Sequence, residues 1–503
     1  MAKVYSAAPV GFDGQTIEVE GHATKGLPAI QIVGMANKSI DEAKERVKSA
    51  LLNSLFEYPA KRLTINLAPA ELPKDGTHYD VAIALSILIA SNQLQQADVD
   101  DALFAGELAL DGSIRPVKGA ITIAETAQKA GKSTLYVPTS NVSQAQLVPD
   151  ITVIGISSLK ELFLHLKKEL VIAPAESEPA ESAPSHLKTK HPNLDDVIGQ
   201  EQAKRALVIA AAGRHNILLK GSPGTGKTML AQALLNLLPP PSPAERLAIT
   251  KMHSLSGEAV DSVITERPFR SPHHTASRVA IVGGGVKPQP GEISLAHLGV
   301  LFLDELPEYP RSTLESLRQP LEDRQISVSR AQGKLLYPAD IMLVATMNPC
   351  PCGYFGDASK ECSCTQNQIA AYQKRLSGPL LDRIDLSVTV PRVPQSSLLQ
   401  HNSLQSTQQK NAYDKLTKAI DRQHNRFNSS AKYNANLTSH EIRQQLNLPE
   451  SCKQLLAAAT EKLQLSTRAY FRVVRIARTI ADLEDSNEIN DSHIAEALQY
   501  RSN

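Results

Sequence analysis

Tryptophan is absent from this 503-residue chain, and aromatic residues make up only 4% of it. Its cores must therefore be built from Leu, Ile, Val and Ala. Charge of one sign is also missing: 53 Lys and Arg face 52 Asp and Glu, a net charge of +1. Such balance excludes a global electrostatic pull toward nucleic acid or membrane. A nucleic-acid surface would have to be local, or arise when several copies assemble around one axis. No apolar run approaches the roughly 18 residues of a membrane span. The first residues lack a basic stretch followed by an apolar run, so no signal peptide is expected. Five cysteines are too few for a disulfide scaffold. These absences together predict a cytoplasmic protein.

What is present is ordinary globular composition, 42% hydrophobic and 21% charged, in a chain long enough for two to four domains. One break stands out. Residues 173–185 read APAESEPAESAPS, without large apolar side chains to offset the entropy of ordering, so a flexible linker is expected over 169–190. Before it, residues 1–168 mix strands and helices. Ser39 and Glu42 form a capping box opening a helix to about Leu52. Residues 62–67 alternate like a half-buried strand, and residues 81–90 read as an apolar helix. After the linker, short apolar strands at 217–219, 300–303 and 341–345 alternate with helical stretches, the signature of a covered parallel sheet. This sheet domain is expected over 191–394. A polar Gln/Asn/Ser-rich connector follows over 395–438, then a helical domain over 439–503.

Gly221, Ser222, Pro223, Gly224, Thr225, Gly226, Lys227 and Thr228 form a P-loop between a strand and a helix. Its glycines let backbone N–H groups turn inward around phosphate oxygens, and the helix N-terminus adds its dipole. Lys227 is placed to reach the β- and γ-phosphates of ATP, and Thr228 to ligate Mg²⁺. The strand at 300–303 delivers Asp304 and Glu305 at its end, the first to sit behind Mg²⁺, the second to polarise the attacking water. Asn348, at the end of the next strand, is a candidate γ-phosphate sensor. Arg383 lies between carboxylates in Leu-Asp-Arg-Ile-Asp. It is either a finger completing a neighbouring subunit's site or the partner of Asp382 or Asp385. Arg468 opens a helix of the last domain and is placed to reach the nucleotide from above, a role for which Arg472 and Arg475 compete.

These residues, with Phe269-Arg-Ser-Pro-His-His-Thr275, Pro290-Gly-Glu-Ile-Ser-Leu-Ala296 and Leu317-Arg-Gln-Pro-Leu-Glu322, closely resemble the magnesium-chelatase-like AAA+ family, and within it the ComM/YifB branch. The resemblance covers nearly the whole chain. It implies an α/β chain with a central AAA+ P-loop domain and a C-terminal helical lid. It further implies a hexameric ring with active sites between subunits, Arg383 in the finger position, and helicase action in branch migration of recombination intermediates during natural transformation. Residues 1–168 resemble the proteolytic domain of Lon-type proteases, an S5 domain 2-like α+β fold. Pro73-Lys-Asp-Gly76 and Gly106-Glu-Leu-Ala-Leu-Asp-Gly112 through Gly119 carry that likeness. Yet His78 stands where the protease has its Ser and Ile121 where it has its Lys. Without nucleophile and base there is no acyl transfer, so a non-peptidase module for assembly, partner or substrate contact is expected.

Cys350, Cys352, Cys362 and Cys364 make a C-x-C-x9-C-x-C cluster that either gathers four thiolates around one Zn²⁺ or remains four free thiols. A bound Zn²⁺ is expected to stiffen a loop projecting from the ring face, outside the chemistry. His273 and His274 belong to a separate motif, with a substrate-facing or structural role. Residues 327–337 read as a hairpin. Six copies would present Arg330 and Lys334 around a pore suited to the backbone of single-stranded, duplex or branched DNA, although two charges on a turn are also plain solvation. The polar stretch Ala276–Gly291, with its Gly283-Gly-Gly285 run, is a candidate second mobile pore loop. Three function classes stay open: a DNA translocase or helicase, a magnesium-chelatase-type motor subunit, and a protein remodeller that uses the first domain to hold a partner.

Overall fold

The computed structural model describes all residues except 35–37, 73, 75, 176–190, 260, 286–288, 331–332, 358, 395–406, 447 and 502–503. Most of the expected linker and the start of the expected polar connector lie outside the described residues.

The first region is organised by the hairpin Ala2–Val10 and Asp13–Thr24, turned at Gly11, whose φ of 63° suits glycine. It forms the centre of a seven-stranded mixed sheet running Ala29–Val33, Arg62–Ala68, Asp13–Thr24, Ala2–Val10, Ala102–Phe104, Thr134–Pro138, Thr152–Ile156. Helix Lys38–Asn53 and the largely apolar helix Asp80–Ala90 pack against it, the latter buried from Asp80 to Ile89 because Val, Ile, Leu and Ala surround its axis, with only Asp80 and Ser86 polar.

The second region carries a five-stranded parallel sheet ordered Phe269–Arg270, Val300–Leu303, Met342–Met347, Ile217–Lys220, Leu386–Thr389. Strand Ile217–Lys220 lies inside the sheet, between Met342–Met347 and Leu386–Thr389, so the loop that follows it sits outside the carboxyl ends of the strands, where ligands of open α/β sheets bind. Helix Glu201–Gly213 shares one apolar cluster with the sheet and with helices Gln408–Phe427 and Thr467–Leu483. The Gln423 amide donates to the carbonyl of Ala212 at 3.0 Å, tying the helical lid to the sheet domain. Within the stretch expected to be a plain connector, Gln408–Phe427 is a helix of 20 residues. Its buried stripe is narrow (Leu416, Ala419, Ile420, Gln423), which is why the composition looks structureless although the spacing is helical.

Helix Pro243–Ser256 joins the two regions. A Ser242–Glu245 capping box with Pro243 in the first turn starts it, and Gly257 at φ 84° stops it. Its Ser254 hydroxyl accepts from the Gly119 amide at 3.1 Å and donates to Gln144 at 2.8 Å. Lys251 is buried against Glu125 at 2.6 Å and lies over the Phe12 ring. Among the described residues no helix is long and apolar enough to cross a membrane.

Candidate nucleotide site

The P-loop leaves strand Ile217–Lys220, turns at Gly224 (φ 77°) and Gly226 (φ 87°), and enters helix Lys227–Ala233. Open space faces both glycines, so their role is the backbone conformation, which turns amides inward. Lys227 is buried, and burial holds its ammonium below the usual lysine range against the pull of Asp304 and Glu305. Its Nζ donates to the carbonyls of Gly221 (2.7 Å) and Ser222 (3.0 Å) and to Asn348 Oδ1 (3.1 Å). Phosphate oxygens compete for the same donors, and Asn348 is within reach of whatever Lys227 binds.

Thr228 Oγ stands 3.3 Å from an Asp304 carboxylate oxygen, and Thr346 donates to the other one. Hydroxyl and carboxylate lie close enough together to hold a Mg²⁺ ion, whose preferred ligands are oxygens. Glu305, exposed, has φ 53°, left-handed for a residue that is not glycine. Its amide is pinned to Thr346 Oγ at 3.0 Å. Strain of this kind persists where surrounding structure enforces it, and here it turns the Glu305 carboxylate outward beside Asp304. Thr346 thus fixes both carboxylate residues, a role that its place in an apolar strand did not reveal.

A cleft of about 1270 Å³ opens along the P-loop, lined on one side by Asp196, Val197, Ile198 and Gln200 and on the other by Thr389–Pro394 backbone neighbours of the last strand. The segment Ile198-Gly-Gln200 before helix Glu201–Gly213 went unrecognised in the sequence. Its signal is an apolar pair and a glycine directly ahead of a helix. Phe355, Gly356, Asp357 and Ser359 of the cysteine loop also line the cleft. The loop expected to project from the ring face thus begins beside the P-loop, since its first cysteine, Cys350, is separated from Asn348 by Pro349 alone.

Neither Arg383 nor Arg468 lines this cleft. Arg383 pairs with Glu322 and donates to the Pro379 carbonyl at 2.6 Å; Arg468 meets the same Glu322 at 3.3 Å. The intramolecular partner expected for Arg383, Asp382 or Asp385, is therefore corrected to Glu322. Asp382 is engaged by Arg472 (3.4 Å), and Asp385 faces His215 (3.6 Å) and the Asn216 amide. Arg475 spends a donor on the Ala435 carbonyl at 2.8 Å. His273 bonds Thr275 and stacks on His274. Arg270 of the same motif forks onto Glu292 and Glu258, stapling the long motifs together.

Strands Gln325–Arg330 and Gly333–Pro338 form the expected hairpin, with Arg330 opposite Gly333 and Lys334 opposite Ser329. The register puts both basic positions at the tip, while their side chains lie outside the described residues. Gly283–Gly284 pairs with Gln289–Pro290, the three residues between 285 and 289 being outside the description. All four sulfurs of Cys350, Cys352, Cys362 and Cys364 lie within 4.8 Å of one another.

Family models described as magnesium chelatase, subunit ChlI match residues 193–398; subunit ChlI of Mg-chelatase, 19–141; and magnesium chelatase, subunit ChlI C-terminal, 406–501. The competence protein ComM of Haemophilus influenzae is 44% identical over 503 residues, covering 100% of this chain and 97% of that protein. The chain belongs to the ComM/YifB family. The uncharacterized protein YifB of Escherichia coli K12 is 44% identical over 99% of this chain and 96% of its own length. Lon protease of Mycolicibacterium smegmatis is 26% identical over 149 residues, 28% of this chain and 19% of that protein. Membership in this magnesium-chelatase-like group makes the chain an AAA+ ATPase, which takes ATP with Mg²⁺.

The position expected for a Lon-type base, Ile121, is wholly buried in an apolar cluster with Ala7, Leu103 and Leu135. His78 is buried and folded over Gly76, its ring tilted at 45° against Tyr79.

Proposed function

We propose that this ATPase is a ring-forming motor that translocates on DNA and drives branch migration of recombination intermediates. The observation that carries the ATPase chemistry is the convergence of Lys227, Thr228, Asp304 and Asn348 at one end of a parallel sheet, with Glu305 turned toward the same place. Lys227 binds and orients the phosphates, Glu305 takes the proton of the attacking water, and Asn348 aligns the γ-phosphate through Lys227. Thr228 and Asp304 would hold a Mg²⁺ ion, which would neutralise charge on the phosphate oxygens. Arg383 is held by Glu322 and the Pro379 carbonyl of its own chain, and the likeness to the family supports its acting on a neighbour's nucleotide in a hexamer. Glu322 holds it until that neighbour offers a phosphate. The DNA step is supported by the basic tip of hairpin Gln325–Pro338 and by likeness to a relative named a competence protein. Six tips around an axis make a ring of cations suited to phosphate backbones without base readout. The four thiolates are read as a structural Zn²⁺ site, as their mutual distances fit tetrahedral sulfur ligation.

The test is ATP turnover of the purified full chain with single-stranded, duplex, forked and four-way DNA. Marked stimulation by one of these supports the proposal. Glu305→Gln and Lys227→Ala are expected to lower the stimulated rate by about 10²–10⁴-fold, the size of a lost general base. Indifference to every DNA, with turnover raised by a protein substrate, makes the chain a remodeller. A requirement for porphyrin and partner subunits makes it a chelatase motor.

A further inference from the structure

The cysteine loop leaves the sheet at Asn348, the residue that holds Lys227, and returns at Thr365, whose hydroxyl caps helix Gln366–Gln373. Both ends are thus anchored on the nucleotide site, the second because Gln373 lines the cleft and donates to the Pro349 carbonyl at 3.3 Å. Between them, sulfur–sulfur distances are 3.3 Å (Cys350 to Cys352), 3.6 Å (Cys350 to Cys362) and 3.5 Å (Cys352 to Cys362). Four sulfurs at about 2.3 Å from a tetrahedral ion stand about 3.8 Å apart. The tight C-x-C steps therefore close around one ion after all. Two backbone amides point at sulfurs, Phe355 N to Cys350 (3.3 Å) and Cys352 N to Cys364 (3.4 Å). Such outer donors stabilise thiolates that carry a metal.

The tip of the loop touches the P-loop. Gly353, at φ 87°, lies so close to Pro223 that a Cβ there would meet its Cδ at 2.6 Å. Asp357 sits with its side chain 2% exposed, held well below the usual carboxylate range by Ser359 first and also by Ser222 of the P-loop and Arg392. Arg392 in turn donates to Ser359 at 2.9 Å. The loop spans from Pro223 to the strand end beyond Thr389 with little secondary structure of its own among the described residues, so these few contacts and a crosslink through its cysteines would set its shape.

We propose that Cys350, Cys352, Cys362 and Cys364 hold one Zn²⁺ whose task is to fix Phe355, Gly356, Asp357 and Ser359 as a wall of the nucleotide cleft, with Gly353 packed behind it on Pro223, so that metal occupancy sets nucleotide affinity. The inference rests on the nucleotide reading above and adds a control to it. Zinc is a redox-inert crosslink here, contributing rigidity and no step of hydrolysis.

The experiment uses the full chain, with metal content by mass spectrometry and equilibrium binding of N-methylanthraniloyl-ADP. Wild type is expected to carry about one Zn²⁺ per chain. The Cys362→Ser/Cys364→Ser variant loses it, and the ADP analogue binds about 10–100-fold more weakly, the usual cost of disturbing a metal site's surroundings. Gly353→Ala keeps all four thiolates and its Zn²⁺ yet also binds more weakly, because the added methyl pushes Pro223. This second variant guards against simple misfolding of the first. Wild type purified with zinc present but holding none overturns the proposal, and so does unchanged affinity in the zinc-free and Gly353→Ala proteins. Zinc-loaded wild type that binds no ADP analogue overturns the nucleotide reading itself, and Lys227→Ala, expected to keep zinc while losing affinity, separates that failure from the other.

Discussion

The sheet of residues 2–156 and the sheet that bears the P-loop both carry loops where related proteins do chemistry, and they have treated those positions in opposite ways. In the first, burial has filled them. Ile121 is packed among aliphatic side chains, Lys74 is fully buried with its ammonium depressed by desolvation, and Asp80 is forked by Arg46 at 2.9 and 3.1 Å. In the second, polar groups are left pointing at a cleft, and backbone strain is kept at Glu305. Packing maximises stability where no ligand is expected. A working site keeps groups whose partner is still to come.

The largest test of that contrast is Arg383→Ala. The Arg383 side chain is 12% exposed and engaged by Glu322 and the Pro379 carbonyl, with only its Nε left without a partner, so it looks nearly as settled as the pairs of the first region. If it is instead a finger held in reserve, the variant loses turnover by about 10³–10⁵-fold while the binding of an ATP analogue is retained. Steady-state turnover and equilibrium binding on the assembled protein decide it. Hydrolysis that survives would return Arg383 to the class of internal ion pairs.

The sequence made one side of this comparison far more legible than the other. The P-loop is contiguous, and the strands carrying Asp304 and Asn348 are short apolar runs, so local pattern alone placed four site residues at one sheet end. The polar chemistry of the first region was legible only as a departure at two positions. What stayed hidden depends on distant contacts. Glu322 lies 61 residues from Arg383, and Thr346, which pins Glu305 and Asp304, sits inside a strand whose burial suggests mere core. Asp357 joins the cleft only because a loop folds back onto Pro223. Helix Gln408–Phe427 was masked by its polar composition, since four buried positions in 20 residues barely register.

A smaller effect separates the regions by acid. His297, beside the P-loop sheet, accepts from the Asp340 amide at 3.0 Å, and burial pushes its pKa down to about 4. Its unfolded value is about 6.5. Between those values the unfolded chain binds more protons, so stability rises with pH across the window and is lost as pH falls from 6.5 toward 4. The gap corresponds to roughly 3 kcal/mol. His297→Asn keeps an acceptor for Asp340 and removes the titration. Its melting temperature should therefore fall less than that of wild type between pH 7 and pH 4.5. Parallel losses in the two proteins would show that His297 does not carry the effect.

The smallest expected effect is the most informative about the first region. His78 stands where the resemblance to Lon-type proteases would put a nucleophile, yet it is 8% exposed and its ring leans on Tyr79 over Gly76. A histidine in that setting packs; acyl transfer needs an activated hydroxyl or thiol and a base, and Ile121 supplies neither. His78→Ala should thus cost about 1 kcal/mol of stability and leave both ATP turnover and the absence of peptide cleavage as they were. The measurement pairs a fluorogenic peptide assay with ATP turnover on the folded variant. Cleavage by wild type that vanishes in His78→Ala would make the first region a working site, and the contrast with the P-loop sheet would dissolve. A fall in ATP turnover without cleavage would carry a different message: that the sealed region speaks to the motor, by the route Gly119–Ser254–Gln144 and Lys251–Glu125 along helix Pro243–Ser256.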